Sequence, residues 1–249
     1  MNIAIFGDSF ANGEVGGAEG HLCHYGLAQY LKDDGHFVIN FSRQGNTNSV
    51  AVEDYSFHIR QNGYIKWDMA IVFQTEVFRD GNDWVTYIVG DYKQEPISVR
   101  DVETTQLKEF YCNLKESQDI FKTPIYLVGG TADTLSPEVV EECGLKCACQ
   151  SLVNLCVNGD HLIEEPVTDF VFVGLEDWQN NAGSIVPDNG IDDKEYFLKL
   201  FEMGENRYKL MVEYPEYFAP NDGGRHASDH PNRYAYKKLF NHLKSEGIV

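Results

Sequence analysis

The sequence predicts an α/β chain, a sandwich of helices on both faces of a mostly parallel sheet, and three observations predict it. Short runs rich in β-formers recur along the chain, helical segments separate them, and the apolar content is enough for one sizeable core. The runs are residues 2–6 (NIAIF), 37–41 (FVINF), 69–73 (MAIVF) and 125–128 (IYLV). Each is apolar on both faces, as expected of a strand covered on both sides. The chain has 249 residues, 43% hydrophobic and 24% charged, which fits one domain over 1–249.

Helical segments are expected at 22–34, about 48–61 and 102–121. The last has apolar residues at Val102, Leu107, Phe110, Tyr111, Leu114 and Ile120, close to a helical repeat. A closing helix is expected from about Asn232 to Lys244, carried by Tyr236, Leu239, Phe240 and Leu243. Two insertions interrupt the alternation. Residues 80–101 read as a hairpin, because WVTYIV is bracketed by Asp-Gly and Gly-Asp turn signals. Residues 157–193 read as a long irregular connection with one further strand at 170–175. The aromatics Trp84, Tyr87, Tyr92 and Trp178 on these insertions suit packing or a sugar platform equally.

A net charge of −19 disfavours nucleic acid and anionic membrane surfaces, whose binding needs clustered Lys and Arg. No run of about 18 apolar residues occurs, and no basic leader with a long apolar stretch opens the sequence. A soluble, cytoplasmic protein is the expectation. Six cysteines lie at 23, 112, 143, 147, 149 and 156. Their spacing does not match the paired C-x2-C pattern of structural zinc sites, so reduced thiols and no metal or cofactor are expected.

Ser9, in Gly7-Asp8-Ser9-Phe10, stands just past the first strand. Open parallel sheets bind ligands beyond their carboxyl ends, so a nucleophile is expected there. A serine nucleophile needs a base and oxyanion donors. His230, in Asp229-His230-Pro231-Asn232, is the candidate base, held before the closing helix by Pro231. His226 is an alternative without the following Pro-Asn. Asp8 is expected to bond nearby backbone N–H groups in the turn.

GDSF at 7–10 and DHPN at 229–232, at opposite ends of an α/β chain, resemble the first and last blocks of the SGNH, or GDSL-type, hydrolases. The loop Ser42-Arg43-Gln44-Gly45-Asn46-Thr47-Asn48 resembles the family's second block. The resemblance spans essentially the whole chain and implies a flavodoxin-like three-layer fold and a serine esterase acting on a small acyl ester, such as a carbohydrate O-acetyl group. It implies Ser9 as nucleophile, His230 as general base and then acid, and the backbone N–H groups of Ser9 and Gly45 as oxyanion donors. Asn46 and Arg79 are candidate substrate-binding residues.

Two blocks depart from the family pattern. Where its third block carries G-x-N-D, this chain reads Gln74-Thr75-Glu76-Val77. An ionised Glu76 cannot donate, so Gln74 supplies the amide, Arg79 replaces it, or the third donor is absent. In the last block, Ala227 stands where D-x-x-H has its acid. Asp229, Asp222 or a backbone carbonyl then orients His230. An acyltransferase on the same fold and a non-catalytic binding module are the competing functions.

Overall fold

The computed structural model describes residues 1–16, 21–75, 99–163, 213–218 and 230–249, with the side chains of 99–103 outside that description. Five parallel strands form the central sheet: β1 (Asn2–Phe6), β4 (Phe37–Asn40), β5 (Met69–Gln74), β6 (Ile125–Gly129) and β7 (Lys146–Cys149), in the order β4-β1-β5-β6-β7. The chain builds outward from β1 in one direction, then crosses over to extend the other edge. The reversal falls between β1 and β5, and open α/β sheets bind ligands beyond the carboxyl ends of the strands at such a point.

Strand alternation divides the core in two. Ile3, Ile5, Met69, Ile71 and Phe73 face α2 (Gly26–Asp33), α6 (Leu152–Asn158), α7 (Pro215–Phe218) and α8 (Arg233–Ser245). Ala4, Phe6, Ala70 and Val72 face α3 (Asn48–Gln61), α4 (Val99–Phe121) and α5 (Pro137–Glu142). The helices present matching stripes. Ala51, Tyr55 and Ile59 recur every four residues on α3, and Ala235, Tyr236, Leu239, Phe240 and Leu243 line α8. Thr47 caps α3, its hydroxyl accepting from the Val50 N–H at 3.3 Å.

Three expectations on elements need correction. Residues 22–25 are not helical: His21–His24 form β3, antiparallel to β2 (Glu14–Gly16), and the helix begins only at Gly26. The hairpin brings Gly13 and Gly26 together so closely that a Cβ on Gly26 would stand 2.8 Å from the Gly13 Cα. The long helix starts at Val99, so 99–101 belong to α4 rather than to a hairpin insertion. On that helix Ile120 is 70% exposed and lies outside the core.

The stretch around the cysteines forms a unit that the sequence pattern did not reveal: helix α5, strand β7 and helix α6. Ser136 and Ser151 cap the two helices, accepting from the Val139 and Asn154 N–H groups. All six cysteines are free thiols. Burial pushes the Cys147 and Cys149 thiols up and raises Cys156 to about 12. Among the described residues no group of His, Cys, Asp or Glu is arranged to hold a metal, and no helix is long and apolar enough to cross a membrane. Most of the expected 80–101 hairpin and the 170–175 strand lie outside the described residues, as do Trp84, Tyr87, Tyr92 and Trp178.

Candidate active site

Ser9 begins α1 (Ser9–Asn12), a single turn at the carboxyl end of β1. Gly7 makes the abrupt exit from the strand possible. Its φ is +135°, and a Cβ there would come within 2.8 Å of the Phe73 Cβ. Asp8 caps the turn, Oδ1 accepting from the Phe10 N–H at 2.9 Å, as the sequence suggested. Its other oxygen accepts from Thr131 Oγ1 at 2.8 Å, which lies 2.9 Å from Thr75 Oγ1. The fully buried Asp8 carboxylate thus joins the ends of β1, β5 and β6.

A helix this short needs outside partners for its carbonyls. Tyr236 donates its hydroxyl to the Phe10 carbonyl at 2.8 Å, and Asn40 Nδ2 donates to that of Ala11 at 2.8 Å. Ser9 is 7% exposed, and these two bonds hold the turn that carries it. Its own N–H, at the first position of the helix, has no intrahelical acceptor.

His230 Nε2 stands 2.9 Å from Ser9 Oγ, across 221 residues of sequence. With the imidazole proton on Nδ1, Nε2 accepts from the serine hydroxyl, the arrangement a general base requires. The ring packs against Phe10, centroids 5.4 Å apart. Asn232, two residues on, fixes the approach. Its Oδ1 caps α8 by accepting from the Tyr234 and Ala235 N–H groups at 2.9 and 3.4 Å. Its Nδ2 donates to the Glu216 carbonyl at 3.0 Å, and its N–H to that of Tyr217 at 2.7 Å. His230 is held at the mouth of α8, outside the helix. Asp229, Asp222, His226 and Ala227 lie outside the described residues.

The loop after β4 is fastened to the strand that carries the serine. The Arg43 N–H and Asn46 Nδ2 both donate to the Gly7 carbonyl, at 3.1 and 3.3 Å. Asn46 Nδ2 also donates to Asp54 at 3.2 Å, and the Arg43 guanidinium pairs with the same carboxylate, Nε at 3.1 Å. Gly45 sits at the exposed tip of this turn, φ +70°. Asn46 needs a correction: it is buried, and both amide hydrogens are engaged within the protein, so it shapes the loop rather than facing a substrate.

Gln74 needs another. Its side chain is fully buried: Oε1 accepts from the Tyr111 hydroxyl at 2.6 Å, and Nε2 donates to the Asp133 carbonyl at 2.6 Å. Strand alternation turns it toward α4, and its amide fastens β5 to that layer instead of offering a third donor. Glu76 and Arg79 lie outside the described residues.

Several residues at the site had no role there assigned from the sequence: Asp54, Thr131, Tyr236, read only as an apolar helix position, and Asn48, which bonds the N–H and the carbonyl of Thr75 at 3.0 and 2.8 Å. Asn48 was at least within reach, because a polar residue opening a helix beside a recognised loop has few other places to put its amide.

No protein-family profile and no curated protein sequence matches the chain. Solved structures do. A psychrotrophic esterase from Pseudoalteromonas sp. is similar over 98% of this chain and 94% of its own, at 12% identity and a TM-score of 0.43. A lipase/acylhydrolase from Enterococcus faecalis is similar over 98% of this chain and 94% of its own, at 15% identity and a TM-score of 0.39. An esterase of the SGNH-hydrolase family is similar over 75% of this chain and 96% of its own, at 16% identity and a TM-score of 0.40.

Proposed function

We propose that this chain is a serine ester hydrolase, a divergent SGNH-type enzyme acting on small acyl esters such as carbohydrate O-acetyl groups. The observation that carries the reading is the 2.9 Å contact between Ser9 Oγ and His230 Nε2, at the carboxyl end of β1 where the strand order reverses. Ser9 Oγ attacks the ester carbonyl carbon while His230 Nε2 takes its proton. The tetrahedral oxyanion accepts from the N–H groups of Ser9 and Gly45. On collapse, the imidazolium gives its proton to the departing alkoxide oxygen, leaving an acyl-serine. Water then attacks that ester, with His230 again as base, and Ser9 is regenerated. Asp229 is the proposed partner of the imidazole, and Arg79 the proposed substrate contact.

One observation favours a second reading. With the Gln74 amide bound to Asp133 and Tyr111, the oxyanion has two main-chain donors in the scheme above, and loss of a third typically costs a factor of about 10²–10³. A binding module that keeps the fold without efficient turnover fits that deficit. Hydrolysis of p-nitrophenyl acetate by wild type, Ser9→Ala and His230→Ala separates the two. Turnover that falls by about 10³-fold or more in both variants supports the hydrolase. Turnover that survives Ser9→Ala overturns it.

A further inference from the structure

The serine and the histidine reach each other through a second link that the reaction scheme does not use. Glu14 opens β2, five residues after Ser9, and Arg233 opens α8, three residues after His230. The Glu14 carboxylate is 1% exposed and takes three bonds from that one residue. Oε2 accepts from the Arg233 N–H at 2.9 Å and from Nε at 2.7 Å, and Oε1 accepts from Nη2 at 3.3 Å. The Arg233 carbonyl in turn accepts from the Tyr30 hydroxyl at 2.9 Å. Both main-chain groups of Arg233 are therefore held, one by the hairpin and one by α2.

We propose that Glu14 is the positioning residue of His230: by clasping Arg233 it sets the distance between the imidazole and Ser9. The inference rests on the hydrolase reading for its kinetic consequence and on geometry for its structural one. Between Arg233 and His230 stand only Pro231, whose φ is fixed by its ring, and Asn232, bonded through its N–H and both side-chain atoms. A displacement of Arg233 is therefore passed along a stiff three-residue lever. An ion pair with a buried carboxylate and a guanidinium 37% exposed is a poor device for stability alone, since desolvation of the one and solvent screening of the other offset most of its attraction. A forked guanidinium on a carboxylate instead imposes one distance and one orientation. The carboxylate also meets the positive end of α8, where it removes the need for an intrahelical partner at Arg233. Tyr236 ties the same helix to the Phe10 carbonyl, so Glu14 and Tyr236 together hold α8 against the turn that presents Ser9.

The test compares wild type with Glu14→Gln, Glu14→Asp and Arg233→Lys by three measurements: p-nitrophenyl acetate kinetics, the NMR order of the His230 ring, and thermal unfolding by circular dichroism. Glu14→Gln keeps the shape and removes the charge. The expected result is a folded protein whose kcat falls by about 10–100-fold with KM nearly unchanged, and whose His230 ring loses order. Glu14→Asp recovers part of both. Arg233→Lys retains the main-chain bond and loses the fork, so it lies between, and it serves in place of Glu14→Gln should that variant not fold. A folded Glu14→Gln with wild-type kcat and an equally ordered ring overturns the proposal. An inert wild type whose His230 ring is ordered, and loosens in Glu14→Gln, overturns the hydrolase reading and supports the positioning role.

Discussion

At the carboxyl edge of the sheet, Gln74 and His161 each spend a side-chain nitrogen on a neighbouring main chain, and neither commitment is visible from residue type. Gln74 donates to the Asp133 carbonyl, and His161 Nδ1 accepts from the Gln150 N–H at 2.9 Å. An amide or an imidazole near a strand end reads as available for chemistry until its partner is known. The His161 bond has a pH consequence. Burial lowers the His161 pKa from 6.5, and the neighbouring His242, its ring centroid 4.6 Å away, lowers it further, against opposing pulls from Asp160 and Glu246. Between that depressed value and 6.5 the unfolded chain binds more protons than the folded one, so stability rises with pH across the window and is lost on acidification. Protonated Nδ1 can no longer accept from Gln150. The protection factor of the Gln150 amide in hydrogen exchange is expected to fall as pH drops below about 6.5, and His161→Phe, which lacks the acceptor at every pH, is expected to remove the dependence.

At the scale of elements, the four-residue α1 depends on its surroundings, because one turn of helix in isolation does not persist. Asp8 caps it, Tyr236 and Asn40 take its carbonyls, and Gly7 supplies the bend that precedes it. Gly7→Ala is expected to cost about 3 kcal/mol or more, combining a φ of +135° with a Cβ 2.8 Å from Phe73. The denaturation midpoint in urea measures it, and an unchanged midpoint contradicts this account of the turn. The strands at 2–6, 69–73 and 125–128 were legible because each is a run of apolar and β-branched residues. Strand β7 was not: Lys-Cys-Ala-Cys has little β-propensity, and its cysteines drew attention to metal chemistry instead. Strand β3 was masked by a helix-like pattern read from residue 22, whereas the helix begins at Gly26, where the close approach to Gly13 fixes the boundary.

Across the whole molecule, the order β4-β1-β5-β6-β7 places Ser9 at the strand reversal, and the segment before α8 brings His230 to it, so the first and last tenths of the sequence meet. Ser9 and His230 were legible as a pair because each sits in a short motif at its own end of the chain. Glu14, Asp54 and Tyr236 were not, since a polar residue alone does not disclose a partner tens or hundreds of positions away. A chain of net charge −19 favours neutral or cationic substrates over polyanions, in keeping with a small ester. The central claim is that Ser9 is a nucleophile activated by His230. A fluorophosphonate probe followed by peptide mass spectrometry tests it most directly. One phosphonyl group per chain on Ser9 is the expected result, absent in Ser9→Ala and much slower to form in His230→Ala. An unlabelled wild type, or a label that survives Ser9→Ala, would contradict the claim.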